Sequence, residues 1–167
     1  MGIDPGLSGG IAVLSDEFKS ADAWMYPGDI PTAGKLLREE ILVKYPDIRL
    51  CAIEKVSSMP KQGIASAFKF GGNYFSWQMA MTMARIPYIF VTPNSWQNKL
   101  LDASSGESSD TKARSLSQAR RLFPHIDLSL QKHNGKSDAL HLARWAWQEY
   151  MKHHQGDKRK IQRVRLK

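Results

Sequence analysis

The chain has 167 residues and a formal net charge of +8, with 24 Lys and Arg against 16 Asp and Glu. This length suffices for one domain with a full hydrophobic core, and the 10% aromatic content argues against global disorder. No apolar run approaches the roughly 18 residues that a membrane span needs, and no signal peptide precedes the first predicted strand, so we expect a soluble, cytoplasmic protein without a membrane partner.

The first predicted elements are three short strands. Residues 1–4 and 10–14 form a hairpin around the Gly/Pro turn at 5–9, and residues 18–26 add a third strand. A helix then begins at Pro31, because apolar side chains recur on one face of the segment that follows.

The middle of the chain alternates strands and helices. Residues 48–56 are apolar and β-branched, which predicts a buried strand. Cys51, the only cysteine, is expected to be a buried apolar side chain in a reducing compartment, not a redox or zinc residue. The later elements are a helix over 64–85 interrupted at Gly71–Gly72, a strand over 87–91 closed by Pro93, a surface loop over 102–110, and helices over 110–122 and 136–151.

This order of elements predicts an α/β fold. Three consecutive strands followed by two strands reached through helices give a mixed five-stranded sheet, with three antiparallel strands, then two parallel ones, flanked by helices. Residues 152–167 hold seven Lys or Arg and one Asp, and so most of the net charge. We therefore divide the chain into a domain over 1–151 and a basic, flexible tail over 152–167, which is either simply a solvated end or a segment that binds phosphates through counterion release.

Three carboxylates stand at the ends of predicted elements. Asp4 ends the first strand, Glu54 ends the buried strand, and Asp138 begins the last apolar helix. Oxygen-only ligands suit hard divalent cations, and the basic chain around them indicates a nucleic-acid substrate. Each residue alone also fits a structural role: a turn aspartate, a glutamate paired with Lys55 or another basic residue, and a first-turn acid favoured by the helix dipole. The five histidines show no zinc spacing, and without a Walker-A or dinucleotide fingerprint we expect no nucleotide cofactor.

Several longer blocks share their order with a known nuclease family. They are Gly-Ile-Asp-Pro-Gly-Leu-Ser-Gly-Gly at 2–10, Ala-Ile-Glu-Lys-Val at 52–56, Met-Pro-Lys-Gln-Gly-Ile-Ala-Ser-Ala-Phe-Lys-Phe-Gly at 59–71, Val-Thr-Pro-Asn-Ser-Trp at 91–96, Thr-Lys-Ala-Arg at 111–114, Arg-Leu-Phe-Pro at 121–124, and His-Asn-Gly-Lys-Ser-Asp-Ala-Leu at 133–140. Over roughly residues 1–150 the chain resembles the RuvC-like Holliday junction resolvases of the RNase H-like superfamily, in particular their short phage and organelle branch.

The resemblance implies a structure-selective endonuclease in the cytoplasm of a bacterium or phage-infected host. It would act as a homodimer on four-way junctions and other branched DNA, and leave symmetric nicks with 5′-phosphate ends. The resemblance also implies that Asp4, Glu54 and Asp138 hold two Mg²⁺ or Mn²⁺ ions per active site. Two alternatives stay open: a branched-DNA-binding protein with weakened or lost activity, and a YqgF-like RNA-processing nuclease.

The fourth metal ligand departs from the family pattern. The family places an acidic or imidazole ligand three or four residues before the last aspartate, where this chain has Gly135 and Asn134. Three explanations are open: His141 substitutes from the next turn, a natural member manages with a neutral amide, or the chain is an Asp-to-Asn variant. Asn134 could instead form a turn or helix cap, and His141 could be a surface residue.

The resemblance, the charge pattern and the helical spacing together indicate contacts to DNA. Lys112 corresponds to a lysine facing the scissile phosphate, the alternative being a solvated helix lysine, and Met59 could insert as an apolar wedge between base steps. Of Phe68 and Phe70, two apart on a helix, one is expected in the core and the other toward a dimer mate or DNA. The residues expected to contact DNA are Met59, Lys61, Phe68, Lys99, Lys112, Lys136, Lys158, Arg159 and Lys160.

Overall fold

A five-stranded mixed sheet forms the centre of the structure, a computed structural model that describes residues 1–15, 20–56, 63–101 and 110–164. Its strands lie in the order β3-β2-β1-β4-β5, with β1 antiparallel to β2, β2 antiparallel to β3, and β1, β4 and β5 parallel. They are β1 (Gly2–Asp4), β2 (Gly10–Leu14), β3 (Ala21–Met25), β4 (Cys51–Glu54) and β5 (Tyr88–Val91). The predicted α/β fold, with three antiparallel strands followed by two parallel ones, is confirmed.

Helices cover both faces of this sheet. Helix α1 (Ile30–Leu36) continues through a π-helical turn (Leu37–Ile41) into α2 (Leu42–Lys44). The later helices are α3 (Ile64–Met83), α4 (Pro93–Leu100), α5 (Thr111–Leu122), a 3₁₀ turn (Gln131–His133) and α6 (Asn134–Val164). Within the part of the chain that the structure describes, none of these helices combines the length and apolar character needed to cross a membrane.

Three elements differ from the sequence-based expectation. Helix α3 runs through Gly71–Gly72 without a break, and α6 continues to Val164, where the pattern predicts an end near 151. Helix α4 is not predicted at all, because Pro93 is expected to close β5. Thr92 instead caps α4, its side chain accepting from the Ser95 amide at 3.3 Å, and Pro93 begins the helix. Most of the expected loop, residues 102–109, lies outside the described residues, and the division at residue 151 stays a prediction.

One face of the sheet packs on α3. Ile3, Ile11 and Ile53 are completely buried there and share a cluster with Trp77 and Met81 of α3. Burial of these large side chains supplies the main hydrophobic stabilisation of this layer. Cys51 belongs to the same cluster, as expected for a buried apolar thiol, and burial raises its pKa to about 12.

The other face of the sheet packs closely on α6. Residues on this face are small, and a Cβ atom on Gly2 would lie 2.2 Å from the Ala139 carbonyl oxygen and the Ala143 nitrogen. Ala12 and Ala52 continue the same face, in clusters that include residues of α6. The missing side-chain volume lets the helix backbone lie directly on β1, which sets the position of the first turns of α6 relative to the strand ends.

Candidate active site

The parallel pairing of β1 with β4 brings Asp4 and Glu54 to the same edge of the sheet. The register pairs Gly2 with Ala52 and Ile3 with Ile53, so that the two acidic residues occupy the next equivalent positions of neighbouring strands. Neighbouring strands lie about 4.8 Å apart. Since side chains alternate along a strand, both carboxylates lie on the face that carries Gly2, which is the α6 face.

The start of α6 brings Asp138 to the same place. A Cβ atom on Gly135 would lie 2.3 Å from the Ser8 carbonyl oxygen, and one on Gly10 would lie 2.6 Å from the Gly135 carbonyl oxygen. The first turn of α6 therefore rests on the turn between β1 and β2. Asp138 is within electrostatic reach of both other carboxylates, because Asp4 raises the pKa of Asp138 and Asp138 raises that of Glu54.

A hydrogen bond holds one oxygen of each carboxylate. The Gly6 amide donates to Asp4 Oδ1 at 2.9 Å, within the turn that follows β1. The Trp96 indole Nε1 donates to Glu54 Oε1 at 2.8 Å, and the Ser115 hydroxyl donates to Asp138 Oδ1 at 2.5 Å. Donors to a charged acceptor give strong and geometrically specific bonds, so each carboxylate has a defined orientation.

Burial raises the pKa of all three acids. For Glu54 the pKa rises to about 7, chiefly through burial and then through the charge of Asp4. For Asp138 it rises to about 7, again through burial first, while the Ser115 hydrogen bond and the Lys112 charge oppose the rise. The pKa of Asp4 is also raised by burial, against the Gly6 amide and Lys112. Lys112 is thus a basic residue that lies near this acidic group.

The donor chemistry of this group fits a hard divalent cation. These three half-buried acids, of which Asp4 raises the pKa of both others, carry like charges that a bound cation would neutralise, and all their donor atoms are oxygen. Among residues 1–15, 20–56, 63–101 and 110–164, however, no group of three or more His, Cys, Asp or Glu is arranged so that it could hold a metal ion. Shared coordination therefore requires the side chains to adjust.

His141 does not fit the role of a metal ligand or of a surface residue. Its side chain is completely buried, and Nε2 donates to the Ser115 carbonyl oxygen at 3.0 Å. The guanidinium of Arg144 donates to Nδ1 at 3.1 Å, so both ring nitrogens have protein partners. Burial lowers the pKa of His141 to about 4. Asn134 is half-buried at the first position of α6, and its backbone carbonyl accepts from the Ser137 hydroxyl at 2.8 Å.

The residues expected to contact DNA occupy different environments. Phe68 is 82% exposed on α3, and Lys112 is exposed beside the carboxylates. Lys99 lies over the Trp145 ring at 4.4 Å and 3.6 Å from Glu149, so that its ammonium group has protein partners. Lys136 donates to the Asp127 carbonyl at 3.4 Å. Met59 and Lys61 lie outside the described residues, and the described backbone places Lys158, Arg159 and Lys160 in α6.

Sequence reasoning missed two residues that contact the carboxylates. Trp96 lies on α4, a helix that the pattern did not predict, and Ser115 lies one turn along α5 from Lys112. The combination of Thr92 and Pro93 is the signal that could have revealed α4, because a threonine followed by proline is a typical helix start. No sequence signal distinguishes Ser115 from the other serines of its segment.

The arrangement of strands and helices defines the RNase H-like α/β fold. Two solved structures of RuvC from Thermus thermophilus are similar to it. RuvC in complex with a Holliday junction substrate has a TM-score of 0.56 at 16% sequence identity, with 85% of this chain and 88% of that chain covered. A further RuvC structure has a TM-score of 0.52 at 18% identity, with 85% and 89% covered. No protein-family model matches the chain, and no curated protein matches it. The likeness shows the fold, and the phage and organelle branch stays a prediction.

Proposed function

We propose that the chain is a metal-dependent, structure-selective endonuclease that resolves four-way junctions and other branched DNA, leaving symmetric nicks with 5′-phosphate ends. The observation that carries this proposal is the group of three half-buried carboxylates, Asp4, Glu54 and Asp138, in which the charge of Asp4 raises the pKa of both others, beside Lys112. Likeness of fold to a RuvC that was solved with a Holliday junction supports DNA as the substrate.

Each residue of the site has a role in this proposal. Asp4, Glu54 and Asp138 hold two Mg²⁺ or Mn²⁺ ions, and Asn134 adds a neutral oxygen from one turn before Asp138. When bound, the ions supply Lewis-acid stabilisation of phosphate charge and a water of lowered pKa. The exposed Lys112 lies near the carboxylates, where its charge lowers the pKa of Asp4 and Asp138 and attracts the DNA phosphate.

DNA binding in this proposal depends on charge around the site and on exposed apolar side chains. Among the described residues that we expect to contact DNA, Phe68 is the apolar side chain that is exposed, and a base or sugar could cover it. Phosphate contacts by the basic residues would supply affinity without sequence information. The proposed set is Met59, Lys61, Phe68, Lys99, Lys112, Lys136, Lys158, Arg159 and Lys160.

We further propose a homodimer that forms through the outer face of α3. Phe75, Met79 and Met83 are 66%, 63% and 77% exposed and recur every four residues, so they form a continuous apolar stripe. Soluble monomers rarely expose such a stripe. Met79→Glu is expected to halve the mass in light scattering, whereas Val43→Glu, which changes an exposed apolar residue of α2, should not. A wild-type mass of one chain would contradict the dimer.

Junction cleavage tests the proposed function directly. The protein is mixed in EDTA with a labelled four-way junction or a linear duplex of the same sequence, and binding is measured by gel shift. Mg²⁺ or Mn²⁺ is then added. We expect the protein to bind the junction tightly and the linear duplex weakly. After metal is added, we expect paired nicks in the junction whose 5′-phosphate ends can be ligated.

Other outcomes separate the remaining functions. Junction binding without nicking in Mn²⁺ would support a binding protein that no longer cuts, which the neutral Asn134 favours. Faster cleavage of an RNA duplex than of the DNA junction would support a YqgF-like nuclease. Equal binding of the junction and the linear duplex would contradict structure selectivity.

The variant Asn134→Asp tests the fourth ligand. An aspartate one turn before Asp138 supplies the negative charge that the amide lacks, so we expect nicking at limiting Mg²⁺ to accelerate about tenfold. The matched control is Asn98→Asp, which adds the same charge at an exposed position of α4. Rates that stay equal to those of the wild type across a Mg²⁺ titration would show that position 134 does not contact the ion.

A further inference from the structure

A continuous chain of contacts joins Glu54 to Asp138 behind the site. The Trp96 indole donates to Glu54 at 2.8 Å, and the Trp96 ring stacks on His141 with ring centroids 5.7 Å apart and planes inclined by 16°. His141 Nε2 donates to the Ser115 carbonyl oxygen at 3.0 Å, and the Ser115 hydroxyl donates to Asp138 at 2.5 Å. The three linking residues come from three helices, α4, α6 and α5.

These linking side chains are inaccessible to water. Trp96 and His141 have no exposed surface, and Ser115 is 1% exposed. A lost hydrogen bond at such a place cannot be replaced by solvent, so the whole unit has one well-defined arrangement. Arg144, which donates to Nδ1, completes the hydrogen bonding of the imidazole ring.

The hydroxyl protons of the unit are ordered by their partners. The Ser137 hydroxyl is 2.8 Å from the Asn134 carbonyl oxygen, which can only accept, and 3.1 Å from the Ser115 hydroxyl. Because the Ser137 hydroxyl donates its hydrogen bond to that carbonyl, its oxygen is free to accept from Ser115. The Ser115 hydroxyl therefore has two possible acceptors, the Asp138 carboxylate and the Ser137 oxygen. The carboxylate is closer and charged, so it accepts the hydrogen bond from the Ser115 hydroxyl.

We propose that Trp96, His141 and Ser115 form one positioning unit that sets the relative placement of the Glu54 and Asp138 carboxylates for divalent cation binding. This inference rests on the proposed function, because it assigns the unit to the cation site of that function. The unit holds one oxygen of each carboxylate and so reduces the side-chain freedom that cation binding must remove. None of its members touches the substrate in this role.

Titration with Mn²⁺ in the absence of DNA tests the unit without reference to cleavage. Free Mn²⁺ is measured by electron paramagnetic resonance in the wild type, in Ser115→Ala and in Trp96→Phe, which keeps an aromatic ring against His141 but lacks the indole N–H. We expect the Kd for Mn²⁺ to rise about 10- to 100-fold in each variant. Ser117→Ala, a hydroxyl removed from the same helix outside the contact chain, should bind as the wild type does.

A second readout separates positioning from mere structural support. In junction cleavage, Ser115→Ala should need more Mn²⁺ for half-maximal rate yet approach the wild-type rate at saturation, whereas a folding defect lowers the rate at every concentration. If the Trp96→Phe variant folds and binds Mn²⁺ as tightly as the wild type does, the proposal is overturned, even if Ser115→Ala fails to fold. A wild-type protein that binds no Mn²⁺ would overturn the metal-dependent function as well, so the two failures are distinguishable.

Discussion

Replacing Asp4 with asparagine is expected to slow Mg²⁺-dependent nicking of a four-way junction about 1,000-fold or more, while junction binding in EDTA persists. Asp4 is the central member of the acidic group, since it raises the pKa of both Glu54 and Asp138. An amide keeps the size of the side chain and can still accept from the Gly6 amide, but it removes a charge from the cation site. Loss of several kcal/mol of transition-state stabilisation corresponds to a rate decrease of this order.

The measurement is single-turnover cleavage of a labelled junction with a gel shift in EDTA alongside it. Asp47→Asn is the matched control, because Asp47 is exposed and its replacement changes the net charge by the same amount. Any gain in DNA affinity from the added positive charge should therefore be shared by both variants. If Asp4→Asn nicks at the wild-type rate, the carboxylate takes no part in the reaction. If the variant neither binds DNA nor folds, Asp4 has a structural role.

The strand-end carboxylates are the part of the site that sequence identifies best. Asp4 and Glu54 each follow buried strand residues, and parallel strands in one sheet present equivalent ends at the same edge. Asp138 needs more than local pattern. Its place depends on the contact between Gly10 and Gly135, and sequence shows that glycines permit close approach without showing which two segments meet.

His141 shows why helical periodicity is an incomplete guide to function. The spacing correctly puts Asp138 and His141 on one face of α6, but it does not say whether solvent, a metal ion or protein covers that face. The sheet lies against one side of α6, and α4 and α5 pack on another. The histidine is therefore buried between these layers, with its ring stacked on that of Trp96. If α6 packed against the sheet only, the same position would be exposed to solvent.

Helix α3 shows packing overriding local propensity. Gly71–Gly72 disfavours a helix by about 1 kcal/mol per residue, which is the reason for expecting a break. Asn73, Trp77 and Met81 are buried at four-residue spacing just beyond the glycines, and Asn73 donates to the Pro5 carbonyl oxygen at 2.6 Å. These long-range contacts stabilise the helical conformation across the glycine pair, and a single sequence does not reveal them.

The acidic group also predicts an unusual dependence of stability on pH. Without divalent cations, Glu54 and Asp138 together should lower the free energy of unfolding by about 1 to 2 kcal/mol between pH 6.5 and 8. Glu54 and Asp138 have a pKa of about 7 in the folded protein, whereas unfolded carboxyls titrate near about pH 4. In this window these two acids therefore hold more protons in the folded state than in the unfolded state, so their titration favours unfolding as the pH rises. Urea unfolding in EDTA at several pH values measures the slope.

Between pH 6.5 and 8 the titration of the buried histidine contributes little to the pH dependence of stability. The pKa of His141 is lowered to about 4, so its contribution is a loss of stability as the pH falls below about 6.5, which opposes the carboxylates only in that lower range. Above pH 6.5 the buried α-amino group of Met1, whose pKa burial lowers, opposes the acids, so the difference in slope between the wild type and Asp138→Asn measures the contribution of the acids. Asp138→Asn should make the slope more positive, because it removes one titrating group and lessens the repulsion on Glu54, whereas Asp47→Asn should leave the slope unchanged.

Addition of Mg²⁺ at pH 8 should reverse the loss. A cation that binds only the folded state stabilises it by about 2.7 kcal/mol at a concentration one hundred times its Kd, and it removes the repulsion that favours protonation. The slope of the free energy of unfolding between pH 6.5 and 8 should then become more positive, since bound metal keeps the carboxyls ionised. If Asp138→Asn changes the slope but Mg²⁺ leaves the wild-type slope unaltered, the acids repel one another without sharing a cation.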